Sequence, residues 1–175
     1  KRAYELAIDL TLIPYHGQPL ATAAELVRNA PKAGTTHFHG YATVAIVHHQ
    51  QRYVVAFTFV EAGTQSVTLV RRLLDRVQKL GIRIKLVLLD KGFYAGAVFR
   101  TLERRHLSYI VPLRLGKRHR LFHQRGSYRT QHCIEHAAVG AYTVSAVIVR
   151  RFKPGRQGRR QVRWLCYAGG AWARH

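Results

Sequence analysis

The chain is poor in acid. Asp and Glu total 8 against 29 Lys plus Arg in 175 residues, a formal net charge of +21 (29 minus 8). It has no Met and only 2 Cys. No apolar run approaches the roughly 20 residues of a membrane helix. Each shortage excludes something. Without a methionine, Lys1 is not expected to be a natural start, and the chain reads as an excised fragment or internal domain. The opening "KRAYELAIDL" carries no secretory signal. Cys133 and Cys166 form no CxxC pair, so both are read as reduced thiols. No membrane partner is expected.

What is present fits a globular domain. Apolar residues make up 47% of the chain, and its length suits one domain with room for an insertion. A charge of +21 attracts polyanions, and counterion release from a phosphate backbone drives such binding. Double-stranded DNA is the first partner to consider. A generally basic, solvated surface and a membrane-surface protein are the alternatives, and the absence of a basic amphipathic helix speaks against the second.

Residues Tyr4 to Leu12 alternate with period two and read as a first strand carrying Asp9. From Ile13 to Thr36, Pro14, Gly17, Pro19, Pro31 and Gly34 break the chain; a loop is expected, with a short helix over "ATAAELVRNA". "HGYATVAIVHH" and "QRYVVAFTFVEAG" read as a hairpin turning around Gln50 and Gln51. "TQSVTLVRRLLDRVQKLGI" has helical spacing at Val70, Leu73, Leu74 and Val77, with Thr64 as N-cap and Gly81 as stop. "IRIKLVLLD" is a fourth strand ending on Asp90, "AGAVFRTLERRHL" a second helix, and "SYIVPLRL" a fifth strand. The β-β-β-α-β-α-β order is that of a ribonuclease-H-like α/β fold, a mixed sheet flanked by helices. Short connections and right-handed crossovers predict that the fourth strand lies beside the first and parallel to it. After Gly116 the composition shifts. Residues 1–116 are read as the core and 117–175 as a β-rich insertion module, whose strands "YTVSAVIVRRF" and "QVRWLCYAG" flank the basic tip "KPGRQGRR". "SYRTQHCIEH" is a candidate third strand of the module.

Asp9 and Asp90 lie 81 residues apart (90 minus 9) but meet if their strands are neighbours. Two carboxylates at that range repel. A hard divalent cation such as Mg²⁺ relieves this, and two such ions form the clamp used in phosphodiester chemistry. Two plainer readings stay open: Asp90-Lys91-Gly92 as a strand-ending turn, and Asp9 as an edge acid paired with an arginine. Alternation puts Asp90 on the face of Ile84, Leu86 and Leu88, which a strand buried on both sides tolerates. Glu5, Glu61, Asp75 and Glu103 read as strand-end or helix-surface charges, and Glu25 and Glu135 as loop or edge acids. "HCIEH" brings His132, Cys133, Glu135 and His136 together, but zinc needs a second ligand pair and none is present. His37, His39, His48 and His49 read as strand-surface groups. Walker, nucleophile-elbow and dinucleotide signatures are absent.

"AIDLTLIPYHG" and "LLDKGFYAGAVFRTLERRHLSYIVPLRLGK" resemble the DDE transposases of prokaryotic insertion sequences, in the IS-four-like branch. The resemblance covers nearly the whole chain. It aligns Asp9, Thr11, Tyr15 and Gly17 with the family's first-acid motif, and Asp90, Lys91, Gly92, Phe93 and Tyr94 with its second. It implies that Asp9 and Asp90 are catalytic and hold Mg²⁺ or Mn²⁺. It also implies a β-rich insertion after the fifth strand. Lys91, Arg104 and Arg105 are candidate phosphate contacts, and Arg156, Arg159 and Arg160 in the tip are candidate DNA contacts. The family's third acid, a Glu on a later helix, has no counterpart before His175, so the resemblance implies a catalytic-domain fragment, inactive alone. The parent enzyme is expected in the prokaryotic cytoplasm at the nucleoid, with a homodimer as one assembly. A ribonuclease-H-fold nuclease or resolvase and a non-catalytic nucleic-acid-binding module are the alternatives.

Overall fold

A computed structural model describes residues 2–18, 23–115, 120–122, 126–134, 140–154 and 160–169. Among them are nine strands in one mixed sheet and two α-helices. The strands are β1 (Ala3–Pro14), β2 (Val27–Lys32), β3 (Thr35–His48), β4 (Gln51–Val60), β5 (Arg83–Leu89), β6 (Tyr109–Pro112), β7 (Tyr128–Ile134), β8 (Tyr142–Pro154) and β9 (Arg160–Gly169). Helix α1 spans Ser66–Lys79 and α2 spans Gly96–Arg104. The sheet runs β2-β3-β1-β5-β6-β9-β8-β7, with β4 on the other part of β3. β5 pairs parallel with β1 and β6 parallel with β5, as right-handed β-α-β units require. The mixed α/β sheet is consistent with the ribonuclease-H-like fold read from the strand order.

Leu6 and Ile8 of β1, Ala42 and Val44 of β3, Val60 of β4 and Val87 and Leu89 of β5 are buried. They form one core with Val70, Leu73, Leu74 and Val77 of α1 and Val98, Phe99 and Leu102 of α2. The opposite face of β1, β3 and β4 carries Asp9, Thr11, Thr43 and the exposed Ile13, Phe57 and Phe59. The N-cap of α1 is Gln65 rather than Thr64, and Gln65 makes no side-chain cap bond. It ends where Gly81 takes φ +68 and donates to the Gln78 carbonyl, while Ile82 donates to Val77. That paired closure is the Schellman stop, and it needs a left-handed residue that glycine supplies without strain.

The stretch from Ile13 to Thr36 departs from the expected loop. β1 runs on to Pro14, β3 begins at Thr35, and Val27–Lys32 forms the edge strand β2. Only Val27 of β2 is even half-buried, so no alternation signals it, and Pro31 is tolerated because an edge strand has a side that bonds to nothing. Among the described residues the expected helix over "ATAAELVRNA" is a single 3-10 turn, Ala23–Glu25. The β3–β4 turn falls at His49 and Gln50, both at positive φ (47 and 64). Those values define the type I′ geometry that matches strand twist.

The strands after Gly116 are antiparallel, and they continue the core sheet instead of building a separate one. β9 bonds to β6 through Ile110↔Gly169, Val111↔Ala168 and Pro112↔Tyr167. β8 pairs with β9, and β7 with β8. Pro154 pairs with Arg160 at the base of the basic tip. Arg156 and Arg159 lie outside the described residues, as do Glu135 and His136.

Candidate active site

The parallel β1–β5 register runs Leu6↔Val87, Ala7↔Leu88, Ile8↔Leu89. The pairing ends there, and Asp9 and Asp90 are the next residue on each chain, so one further step in register would set them side by side at about 5 Å. Asp90 keeps extended backbone angles (φ −72, ψ 163) as it leaves β5 and caps the turn that follows. Both residues are exposed. Ile8 and Leu89 point into the core, so Asp9 and Asp90 share the opposite face, that of Leu86 and Leu88. The alternation that looked awkward in sequence therefore turns the two acids the same way.

Each carboxylate is fixed by its own backbone. Asp9 Oδ1 accepts from the Leu10 N–H at 2.8 Å. Asp90 caps the 3-10 turn Lys91–Phe93, where its Oδ1 accepts from the Lys91 N–H. The side chain that Gly92 lacks would begin 3.7 Å from Asp90 Oδ2, so glycine leaves that oxygen open to approach. Two exposed carboxylates side by side, each with an oxygen to spare, are a hard donor set that fits Mg²⁺ or Mn²⁺. Among the described residues, no group of three or more His, Cys, Asp or Glu converges as a metal site.

The residues after Asp9 have a structural logic. The Tyr15 N–H donates to the His37 carbonyl at 2.9 Å, and its hydroxyl donates to the Gln18 carbonyl at 2.9 Å. Its ring meets His39 edge-on at 5.1 Å. A Cβ on Gly17 would sit 2.4 Å from the Tyr15 hydroxyl oxygen, so this pose demands glycine there.

Lys91 is exposed in the turn beside Asp90. Arg104 and Arg105 are elsewhere. The crossover helix α2 runs antiparallel to the strands it joins, so it carries them to the opposite end of the sheet. Arg105 lines a cleft with Ile82 and Ile84 at the start of β5. Six residues separate Ile84 from Asp90, about 20 Å along a strand. Arg105 also donates to Asp75 Oδ1 at 2.6 Å, so the exposed Asp75 carries an ion pair tying α1 to the end of α2. Glu5 likewise pairs with Lys85 at 2.9 Å.

Glu103 is exposed on its helix face, as read, but it is tied down there. Its Oε1 accepts from the Tyr109 hydroxyl at 2.9 Å, and Oε2 accepts from the Tyr142 hydroxyl. Tyr109 is fully buried, and its ring stacks on Phe99 at 5.4 Å. Burial chiefly, and Glu103 beside them, push both tyrosines above their ordinary range. Glu103 thus joins core strand β6 to β8 of the later strands.

One group near Asp90, Arg114, escaped notice in the sequence, and Tyr94 of the second motif has a partner that the sequence did not show. Arg114, just past β6, donates from Nε to the Lys91 carbonyl at 3.2 Å. Tyr94 shares a 3.1 Å hydrogen bond with His132 Nε2 of β7. Burial raises the Tyr94 pKa, and the Arg114 guanidinium opposes that rise. In "HCIEH", His132 therefore serves a tyrosine, while Cys133 is an exposed free thiol. The His48 and His49 rings meet at a tilt of 55°, with centroids 4.0 Å apart, at their turn. Desolvation, then the charges of His49 and Arg2, lower the His48 pKa.

Among solved structures, the piggyBac transposase synaptic complex with hairpin DNA is similar over 96% of this chain and 33% of that chain, at 15% identity and a TM-score of 0.56. That likeness speaks for the fold, and the chain spans about a third of that transposase's length. No curated protein sequence matches the chain. The profile of the transposase DDE domain matches residues 1–161, which take in β1 to β8, both helices and both aspartates, and on that match the chain belongs to the transposase DDE domain family.

Proposed function

We propose that this chain is the catalytic core of a DNA transposase of the prokaryotic insertion-sequence type, IS-four-like branch, acting on phosphodiesters at transposon ends. The observation that carries the reading is the Ile8↔Leu89 register, whose next step is the exposed pair Asp9 and Asp90. These two residues would hold Mg²⁺ or Mn²⁺, and the chemistry such an ion would supply there is positive charge to offset that of a reacting phosphodiester. The chain's own residues aim and hold: the Leu10 and Lys91 N–H groups fix the two carboxylates, and Gly92 keeps one face of Asp90 clear. Lys91, Arg104 and Arg105, and with them Arg156, Arg159 and Arg160, draw in the DNA backbone. The hydroxyl that attacks target DNA is the freed 3′ end of the transposon strand.

A two-carboxylate set holds one ion loosely, and a second ion needs another ligand. This chain is therefore expected to bind duplex DNA without strong sequence preference and to leave it uncut. Mn²⁺ binding followed by electron paramagnetic resonance tests the pair directly. Asp9→Asn and Asp90→Asn should each abolish binding with the circular dichroism unchanged. Binding that survives both substitutions sinks the assignment. A nicking assay adds a second arm: robust cleavage abolished by Asp90→Ala would overturn the expected inactivity and turn attention to Glu61 and Glu135 as a third ligand.

A further inference from the structure

We propose that Arg114 is a phosphate-binding residue of this site, seated to grip the DNA backbone beside Asp90. The inference rests on the active-site reading of Asp9 and Asp90. It starts from topology. β5 and β6 are parallel, with Val87↔Tyr109 and Leu88↔Ile110 in register, so the residues after Pro112 emerge at the same sheet edge as Asp90. Leu113 is buried there, and its N–H donates to the Cys166 carbonyl of β9 at 2.8 Å, which anchors the backbone at Arg114. The side chain then turns outward and is exposed.

The guanidinium is held rather than loose. Its Nε–H is spent on the Lys91 carbonyl at 3.2 Å, inside the turn that Asp90 caps. Its nearness to Tyr94 is felt in that hydroxyl's titration. Arginine has five N–H donors in a rigid fork, so one bond through Nε leaves the terminal nitrogens aimed together. Among the described residues, the ion pairs are Lys85–Glu5 and Arg105–Asp75, and no acid pairs with Arg114. An oriented guanidinium without an acid partner matches a phosphodiester bidentately. Its position also suits the electrostatics. The carboxylate pair repels an approaching phosphate, and a fixed cation at the same edge offsets that repulsion. Arg105 is paired with Asp75 and about 20 Å away along the strand direction, so it cannot act at the same phosphate.

The test is binding of a short labelled DNA duplex by fluorescence anisotropy, over a salt series, without divalent metal. A residue that contacts one phosphate contributes about 0.9 to the slope of log K against log salt. Arg114→Ala should flatten the slope by about that amount. Arg114→Lys should keep the slope, since the charge remains, yet bind more weakly for want of the fork. A residue that only staples the turn would move neither. Should the alanine variant lose its fold, Arg114→Gln keeps the stem without the charge and gives the same reading. An unchanged slope overturns the proposal. Asp90→Asn in the same assay separates the two readings, because removing its charge should tighten binding if DNA lies at this edge. A flattened slope for Arg114→Ala with no response to Asp90→Asn supports a phosphate contact while refuting the shared site. Tighter binding by Asp90→Asn with an unchanged Arg114→Ala slope does the reverse.

Discussion

Glu103→Ala takes a carboxylate acceptor from two tyrosine hydroxyls. Tyr109 is fully buried beneath the exposed Glu103, so its hydroxyl loses a bond to a charged group when Oε1 goes. A hydrogen bond to a charged group contributes about 1.5–3 kcal/mol. Tyr142 is only half-buried, and water can replace Oε2 there, so its loss adds about 0.5–1 kcal/mol. The sum is about 2–4 kcal/mol. For a chain of this length, each kcal/mol shifts the melting temperature by about 2–4 °C, so the variant should melt roughly 5–15 °C lower. Urea denaturation and thermal melts by circular dichroism measure it. The decisive control is the double variant with Tyr109→Phe. Once the hydroxyl is gone that bond is already absent, so Glu103→Ala should cost about 1 kcal/mol or more less in that background. Equal costs in both backgrounds would refute the reasoning and mark the bond as incidental.

Three further outcomes are expected. His106 closes α2 at φ 54, with His106 and Leu107 donating to Glu103 and Leu102, so it stands where Gly81 stands after α1; His106→Gly should raise stability by about 1 kcal/mol in urea melts. Burial pushes the Cys166 thiol up to about 11, whereas Cys133 is exposed; a chromogenic disulfide reagent at neutral pH should therefore titrate Cys133 quickly and Cys166 only on unfolding. Tyr109 and Tyr142 have folded pKa values raised above the ordinary 10.0; stability that is intact below pH 10 should fall as pH rises past it, because the unfolded chain ionises first, and Tyr109→Phe should blunt that fall.

The strands that carry the acids were legible because their patterns are strong. Tyr4 to Leu12 alternates, and the run from Ile84 to Leu89 is apolar enough to need neighbours on both sides. β2 was not, because its six residues hold almost no buried side chain and leave no period to read. The tyrosine partners of Glu103 were hidden for a related reason. Its helical spacing places it on the surface face, and only the tertiary fold brings Tyr142, 39 residues later, within reach. The placement of Arg104 and Arg105 was available in principle, since a crossover helix must run back down the sheet. Arg114 sat in "SYIVPLRL" as one more basic residue of a basic chain. Its significance lies in a bond to the Lys91 carbonyl, 23 positions earlier, that no local pattern announces.

The bond between β6 and β9 has a consequence for how the molecule is made. Ile110 waits for Gly169, 59 residues downstream (169 minus 110), before the free side of β6 is paired. At about 5–20 residues per second of synthesis, that interval is roughly 3–12 s. The ribosome therefore displays a half-built sheet with one raw side for seconds at a stretch. During that time the nascent chain is open to strand exchange with its neighbours on a polysome, and crowding of ribosomes on the message should govern how much of it reaches the finished sheet.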